Sequence, residues 1–180
     1  PLPVANELKS NFSEYFKYVL IAFLPEEYIL TTDKNKLTKK GQFIESDAPE
    51  MLSLHMLEGN RAGLKELNSV LLSASLAKEL FGDTSPLNQT VKINKNMLAK
   101  VTGVYEDLPD NSEFHSVKFL APFDLLTSAN PWIKEQKWDN WFLLTYVQLN
   151  PNFSMDQISG QIKNIEIDKI KHLEGMQEQI

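Results

Sequence analysis

Residues Ser69 to Asp83 read SVLLSASLAKELFGD, and they limit the fold more tightly than any other stretch of this chain. Val70, Leu71 and Leu72 are consecutive apolar residues, the pattern of a short strand covered on both faces. Ser73 follows in the position of a helix N-cap, where its hydroxyl can accept an orphaned backbone N–H. Leu76, Ala77, Leu80 and Phe81 then recur at helical spacing, and Gly82 stands where a left-handed C-cap belongs. The stretch predicts a buried strand running directly into an amphipathic helix.

Similar signals recur along the chain without a regular βαβ period or an internal repeat. Helical spacing is found over Asn6–Phe16, and an apolar strand over Phe16–Phe23, punctuated by Pro25. Tyr28–Thr32 and Gly41–Glu45 read as short strands around a lysine-rich segment, Lys34–Lys40, that suits a solvated loop or strand edge. Asp47, Pro49 and Glu50 mark a helix start. Met51, Leu52, Leu54, Met56 and Leu57 are apolar enough to predict that much of Ser46–Leu57 lies in the core. Val91–Ile93 and Leu98–Val104 flank Asn94-Lys95-Asn96 as a β-hairpin. Val117–Ala121 predicts a strand, Pro122–Ser128 a short helix, and Phe142–Leu149 a strong strand. A last helix opens at Ser154, with Ile158, Ile162 and Ile165 on one stripe. The fold class is therefore α+β, with a mixed sheet and packed helices. With 180 residues and 42% apolar content, the chain can build one domain or two small lobes sharing a core.

Composition removes several classes of function. Net charge is −6 and the pI about 5.1, so the composition predicts no basic footprint for nucleic acid or anionic lipid. The absence of cysteine excludes disulfides, thiol nucleophiles and zinc ribbons together. His55, His115 and His172 are isolated from one another, which predicts no metal site. The acidic group Glu106, Asp107, Asp110 and Glu113 beside His115 lacks the spacing and the glycine of a calcium loop, and reads as a solvated turn. The longest apolar run, Val19–Leu24, is six residues, against about 20 for a membrane span. The chain opens on Pro1-Leu2-Pro3 without an initiator methionine, which is the expectation for a piece of a longer protein.

Two chemistries compete for the candidate residues. Ser75-Leu-Ala-Lys78 matches the Ser-x-x-Lys element of penicillin-binding serine hydrolases, in which the amine one turn away helps deprotonate the hydroxyl. Ser128-Ala-Asn130 and Lys100-Val-Thr-Gly103 offer the companion elements, though in reversed order and with an inserted valine. Burial of Leu76 and Leu80 would turn Lys78 to solvent, so the stronger reading is a structural helix. Trp132, Trp138 and Trp141 form the other candidate, a ligand pocket or partner surface, set against their closing one end of the core.

Asn68 to Ser112 resembles a known family. Ser73, Ala77, Phe81, Gly82, Asp83, Pro86 and Thr90 follow the pattern of MacB-like periplasmic core domains from FtsX-like ABC transporter permeases, in the form typical of Bacteroidetes. Val101-Thr-Gly-Val104 and Leu108-Pro-x-Asn-Ser112 repeat that family's next segment. Asp47–Gly59 upstream and Trp141–Leu149 downstream resemble its flanking helix and strand. Leu87-Asn88-Gln89 stands where the family usually has a glycine-containing turn.

The resemblance implies a two-lobed periplasmic domain, inserted after the first of four transmembrane helices of a permease. A membrane-proximal lobe is expected at about 1–60 and 120–180, with a distal lobe at about 60–120. It implies no catalysis and no cofactor in this domain, ATP being bound by a separate cytoplasmic ATPase subunit. A second permease copy and a periplasmic protein or peptide are the implied partners. A family return segment after Ile180 is expected to be missing from this stretch of sequence. A periplasmic sensor or small-ligand module, with its pocket at the tryptophans, is the alternative reading; the Ser-x-x-Lys hydrolase is the remote one.

Overall fold

The computed structural model of the chain describes residues 2–134, 142–163 and 165. Its helices are α1 (Leu2–Asn11), α2 (Ala48–Met51), α3 (Ala74–Phe81), α4 (Phe123–Ala129) and α5 (Met155–Ile162). Its strands are β1 (Phe16–Phe23), β2 (Glu26–Thr31), β3 (Lys36–Ile44), β4 (Met56–Gly59), β5 (Ser69–Ser73), β6 (Thr90–Ile93), β7 (Met97–Tyr105), β8 (Phe119–Pro122) and β9 (Leu143–Leu149). Helices and strands interleave in a mixed sheet, as the α+β reading expected. Among the described residues no helix is long and apolar enough to cross a membrane.

Two compact units result, Pro1–Ile21 with Lys134–Ile180, and the continuous stretch Ala22–Ile133. In the first unit, β1 neighbours β9. α1 starts earlier and stops sooner than its apolar spacing predicted. Pro3 is tolerated in a first turn because no intrahelical N–H is needed there, and Ala5 and Leu8 are the buried positions. Phe12 and Tyr15, expected on the helix, lie beyond it. The Tyr15 ring meets Phe153 edge-on at 4.9 Å, while the Asn150 amide donates to Glu14 O and the Asn150 backbone N–H to Tyr15 O. α5 begins with a capping box in which Ser154 and Gln157 satisfy each other's backbone N–H groups.

In the second unit, strand pairing closes on itself. The order is β2-β6-β7-β5-β8-β3, and β3 pairs back onto β2. β3–β8 and β5–β7 are parallel, and the other ring pairs are antiparallel. β1 continues the line of β2 along β3, with Ala22 opposite Ile44, and β4 continues the line of β6 along β7. A small closed sheet has room inside only for side chains. Tyr28, Phe43 and Phe119 fill this one, with ring centroids 5.3 to 6.4 Å apart in edge-on arrangements. Gly41 makes that packing possible, since a Cβ there would stand 2.0 Å from the Phe119 ring. Leu30, Val91, Ile93 and Val101, all fully buried, complete the interior.

The Ser69–Asp83 unit folds as its sequence predicts. β5 is buried at every position and central to the ring. The Ser73 hydroxyl accepts from Leu76 N–H at 3.3 Å, and Leu76, Ala77 and Leu80 are the buried face of α3. Gly82 ends the helix at φ 62°. The Val91–Val104 hairpin is β6–β7, turning at Asn94 with φ 52°.

Ser46–Leu57 is a correction. α2 is a single turn, the chain reverses at Ser53 with φ 52°, and Met56 already belongs to a strand. Of the five apolar residues assigned there to the core, Leu54 alone is buried, while Leu57 is 52% exposed. The short run offers neither helix nor strand a full apolar face, so density of apolar residues overstated their burial.

Candidate functional site

Of the three tryptophan candidates, Trp132 alone lies among the described residues. Trp132 sits on a short 3-10 turn, Pro131–Lys134, and is 52% exposed. Trp138 and Trp141 lie outside the described residues, as does His172. Three shallow clefts of about 320, 410 and 380 Å³ flank the sheet, and none of the three is lined by a tryptophan. The first lies between the turn before β3 and the C-terminal end of α3, with Phe81, Asn88 and Gln89 in its wall. The second surrounds Arg61, which is pinned by hydrogen bonds to Leu54 O at 2.7 Å and Glu50 at 3.2 Å.

The Ser-x-x-Lys pair separates chemically. Lys78 pairs with Asp83 at the far end of α3, on an open surface. Ser128 donates to Asp124 O within α4. Ser75 instead donates its hydroxyl to Asp107 Oδ1 at 2.6 Å, and its backbone N–H to Asp107 Oδ2 at 2.7 Å. Lys118 Nζ donates to the same Oδ1 at 2.9 Å. Burial alone would raise the Asp107 pKa, but the bonds from Ser75 and Lys118 and the lysine charge outweigh it, holding the carboxyl down at about 2. A carboxylate so acidic is a poor general base near neutral pH, because proton abstraction is efficient when the base pKa lies near the working pH. The arrangement fits a fastening: one side chain after β7 ties the first turn of α3 to the residue preceding β8. Its negative charge also complements the helix N-terminus.

The sequence predicts Asp107 in a solvated acidic turn, and the structure differs: Ser75 and Lys118 hold its carboxylate. Its neighbours do face water. Glu106 pairs with His55 at 3.0 Å, and His115 Nδ1 lies 2.8 Å from Ser112 O. Among the described residues no group of three or more histidine or carboxylate side chains is placed to hold a metal ion.

Comparison with known proteins bears on the whole chain. The sequence profile of the MacB-like periplasmic core domain matches residues 7–165. No curated protein sequence gives a match. Among solved structures, a domain of a candidate permease from Porphyromonas gingivalis superposes with a TM-score of 0.69 at 22% identity, covering 92% of this chain and 75% of that one. The periplasmic region of MacB from Actinobacillus actinomycetemcomitans gives 0.69 at 19% identity, covering 97% and 74%. The extracellular domain of the noncanonic ABC-type transporter YknZ from Gram-positive bacteria gives 0.64 at 20%, covering 88% and 75%. At these identities the likeness establishes a shared fold.

Proposed function

The chain belongs to the MacB-like periplasmic core domain family of ABC transporter permeases, and we propose that it passes ATP-driven movement of membrane helices to a periplasmic substrate or partner. The observation that carries the reading is the division of the chain. One unit gathers both flanking segments, Pro1–Ile21 and Lys134–Ile180, and the other is a continuous insertion whose strands close into a ring. In this reading, movement applied to the flanking segments is handed on to the insertion. A closed, densely packed ring resists internal shear, because interiors packed to crystal density transmit strain rather than absorb it. The insertion then moves as a body.

In this reading the unit works without chemistry of its own: it holds no cofactor, and ATP is bound by a separate cytoplasmic subunit. A second permease copy supplies the opposing domain, and both face the periplasm.

These 180 residues contain no cysteine, so a label introduced among them meets no competing thiol within this stretch. Spin labels placed on Lys65→Cys and Lys92→Cys of the full-length permease, assembled with its ATPase, report distances within one insertion and between two copies. Transmission predicts an unchanged distance within the insertion and a shifted distance between copies when a non-hydrolysable ATP analogue replaces ADP. Equal distances between copies in both nucleotide states would sink the proposal.

A further inference from the structure

The outer face of β2, β3 and β6 carries charge that the fold does not use. Register sets Lys36 opposite Thr31, Thr31 opposite Lys92, and Lys92 opposite Leu98, so these residues form one row across four strands. With strands about 4.8 Å apart, Lys36 and Lys92 stand roughly 10 Å from each other. The next rows along place Thr38 opposite Ile29, and Lys40 opposite Glu27. Lys34 lies in the turn before β3, and Lys95 in the turn between β6 and β7. All five lysines are exposed, and none is paired with a carboxylate among the described residues.

Other lysines of the same unit behave differently. Lys39 pairs with Glu79, Lys78 with Asp83, Lys100 with Glu66 and Lys118 with Asp107. On the outer face five lysines meet two carboxylates, Glu27 and Asp33, in a chain of net charge −6. Ile29 lies between the rows, 40% exposed, and Leu98 at the row's end is 59% exposed. The backbone there is fixed: Ile29 N–H donates to Asn94 Oδ1 and Ile29 O accepts from Asn94 N–H. β2 is paired on both sides, so a partner cannot join it as an added strand.

We propose that this face docks an acidic protein segment whose carboxylates meet Lys36, Lys40 and Lys92 around an apolar side chain seated on Ile29. An apolar centre ringed by polar and charged groups is the anatomy of a protein interface. Charge complementarity selects the partner and speeds its approach. A membrane is a poorer occupant, because Ile29 lies within the lysine rows and could enter a bilayer only by burying ammonium groups. The inference stands apart from the transmission proposal, since docking is read on the isolated domain and transmission on the assembled transporter.

The test uses a fluorescein-labelled synthetic peptide of glutamates around a single leucine. Anisotropy is measured against the wild-type domain, against Lys36→Glu/Lys92→Glu, and against Lys65→Glu/Lys78→Glu as a control elsewhere on the surface. Melting curves confirm that all three fold. Docking predicts binding that weakens with salt, amide shifts centred on Ile29, Lys36, Lys92 and Leu98, and at least about ten-fold weaker binding for the first variant alone. The proposal is overturned if the wild type does not bind at low salt, if the two variants bind alike, or if the shifts map elsewhere. Tighter binding to phosphatidylglycerol vesicles than to the peptide, lost in the first variant, would overturn it in favour of a membrane surface.

Discussion

β2 and β3 carry, on opposite faces, the most committed and the least committed surfaces of the molecule. Inward, Tyr28, Leu30, Gly41 and Phe43 leave no room for a methyl group. Outward, the Lys36 and Lys40 side chains are exposed and make no ion pair among the described residues. The same contrast separates two kinds of charge. Asp107 and Lys118 are consumed in binding the fold together, whereas Lys36 and Lys92 are free to act on something else. Charge that a fold spends locally is structural; charge left over on an ordered face is the better pointer to function.

The contrast would break first at the interior. Phe119→Ala empties the space between Tyr28, Phe43 and Gly41, and a buried Phe lost in this way costs about 3–5 kcal/mol. Denaturant unfolding should show that loss, and a cost below about 1 kcal/mol would mean that the ring interior readjusts freely. Gly41→Ala presses the opposite way. The Phe119 ring must move, and overpacking of this kind costs about 1–3 kcal/mol, read as a lower denaturation midpoint.

Asp107→Asn keeps the shape and removes the charge, and should cost about 1.5–3 kcal/mol at neutral pH, the range for hydrogen bonds to charged groups. The folded pKa of about 2 lies below the ordinary 3.8. The stabilisation is therefore fully present above about pH 4 and is lost as pH falls through 2. Wild type and variant should converge in stability over that window, and a gap that persists at pH 2 would assign the effect to shape. On the outer face, Lys36→Ala and Lys92→Ala should each change stability by less than about 0.5 kcal/mol. A larger change would show that these lysines serve the fold after all.

Legibility in the sequence followed the distance between partners. The β5–α3 unit could be read because cap, apolar stripe and C-terminal glycine all lie within fifteen residues and agree. The β6–β7 hairpin was legible for the same reason. Asp107 was not, because Ser75 is 32 positions away and Lys118 is 11. Only the fold reveals that one acidic residue of four is held while its neighbours meet water. Ring closure was equally hidden, since nothing local in β3 says that it pairs with both β2 and β8. The lysines of β3 could be counted from sequence, but their alignment with Lys92 depends on the register of Thr31 with both neighbouring strands. Ser46–Leu57 failed where local signals conflicted, a helix start followed by a run too short for a helix. Of the tryptophan candidates, Trp132 alone lies among the described residues.

Ring closure also sets an order of events for the newly made chain. Gly41 must find Phe119, and β5 must wait for both β7 and β8. Pairings so remote in sequence make folding slow, because loop-closure entropy is lost before the contacts that reward it can form. The β2–β3 and β6–β7 hairpins can form early, but neither can be sealed until Phe119–Pro122 has emerged. Until then their strand edges and the Tyr28 and Phe43 rings stand open to water. The domain is consequently most vulnerable to aggregation and proteases in the interval before its eighth strand arrives.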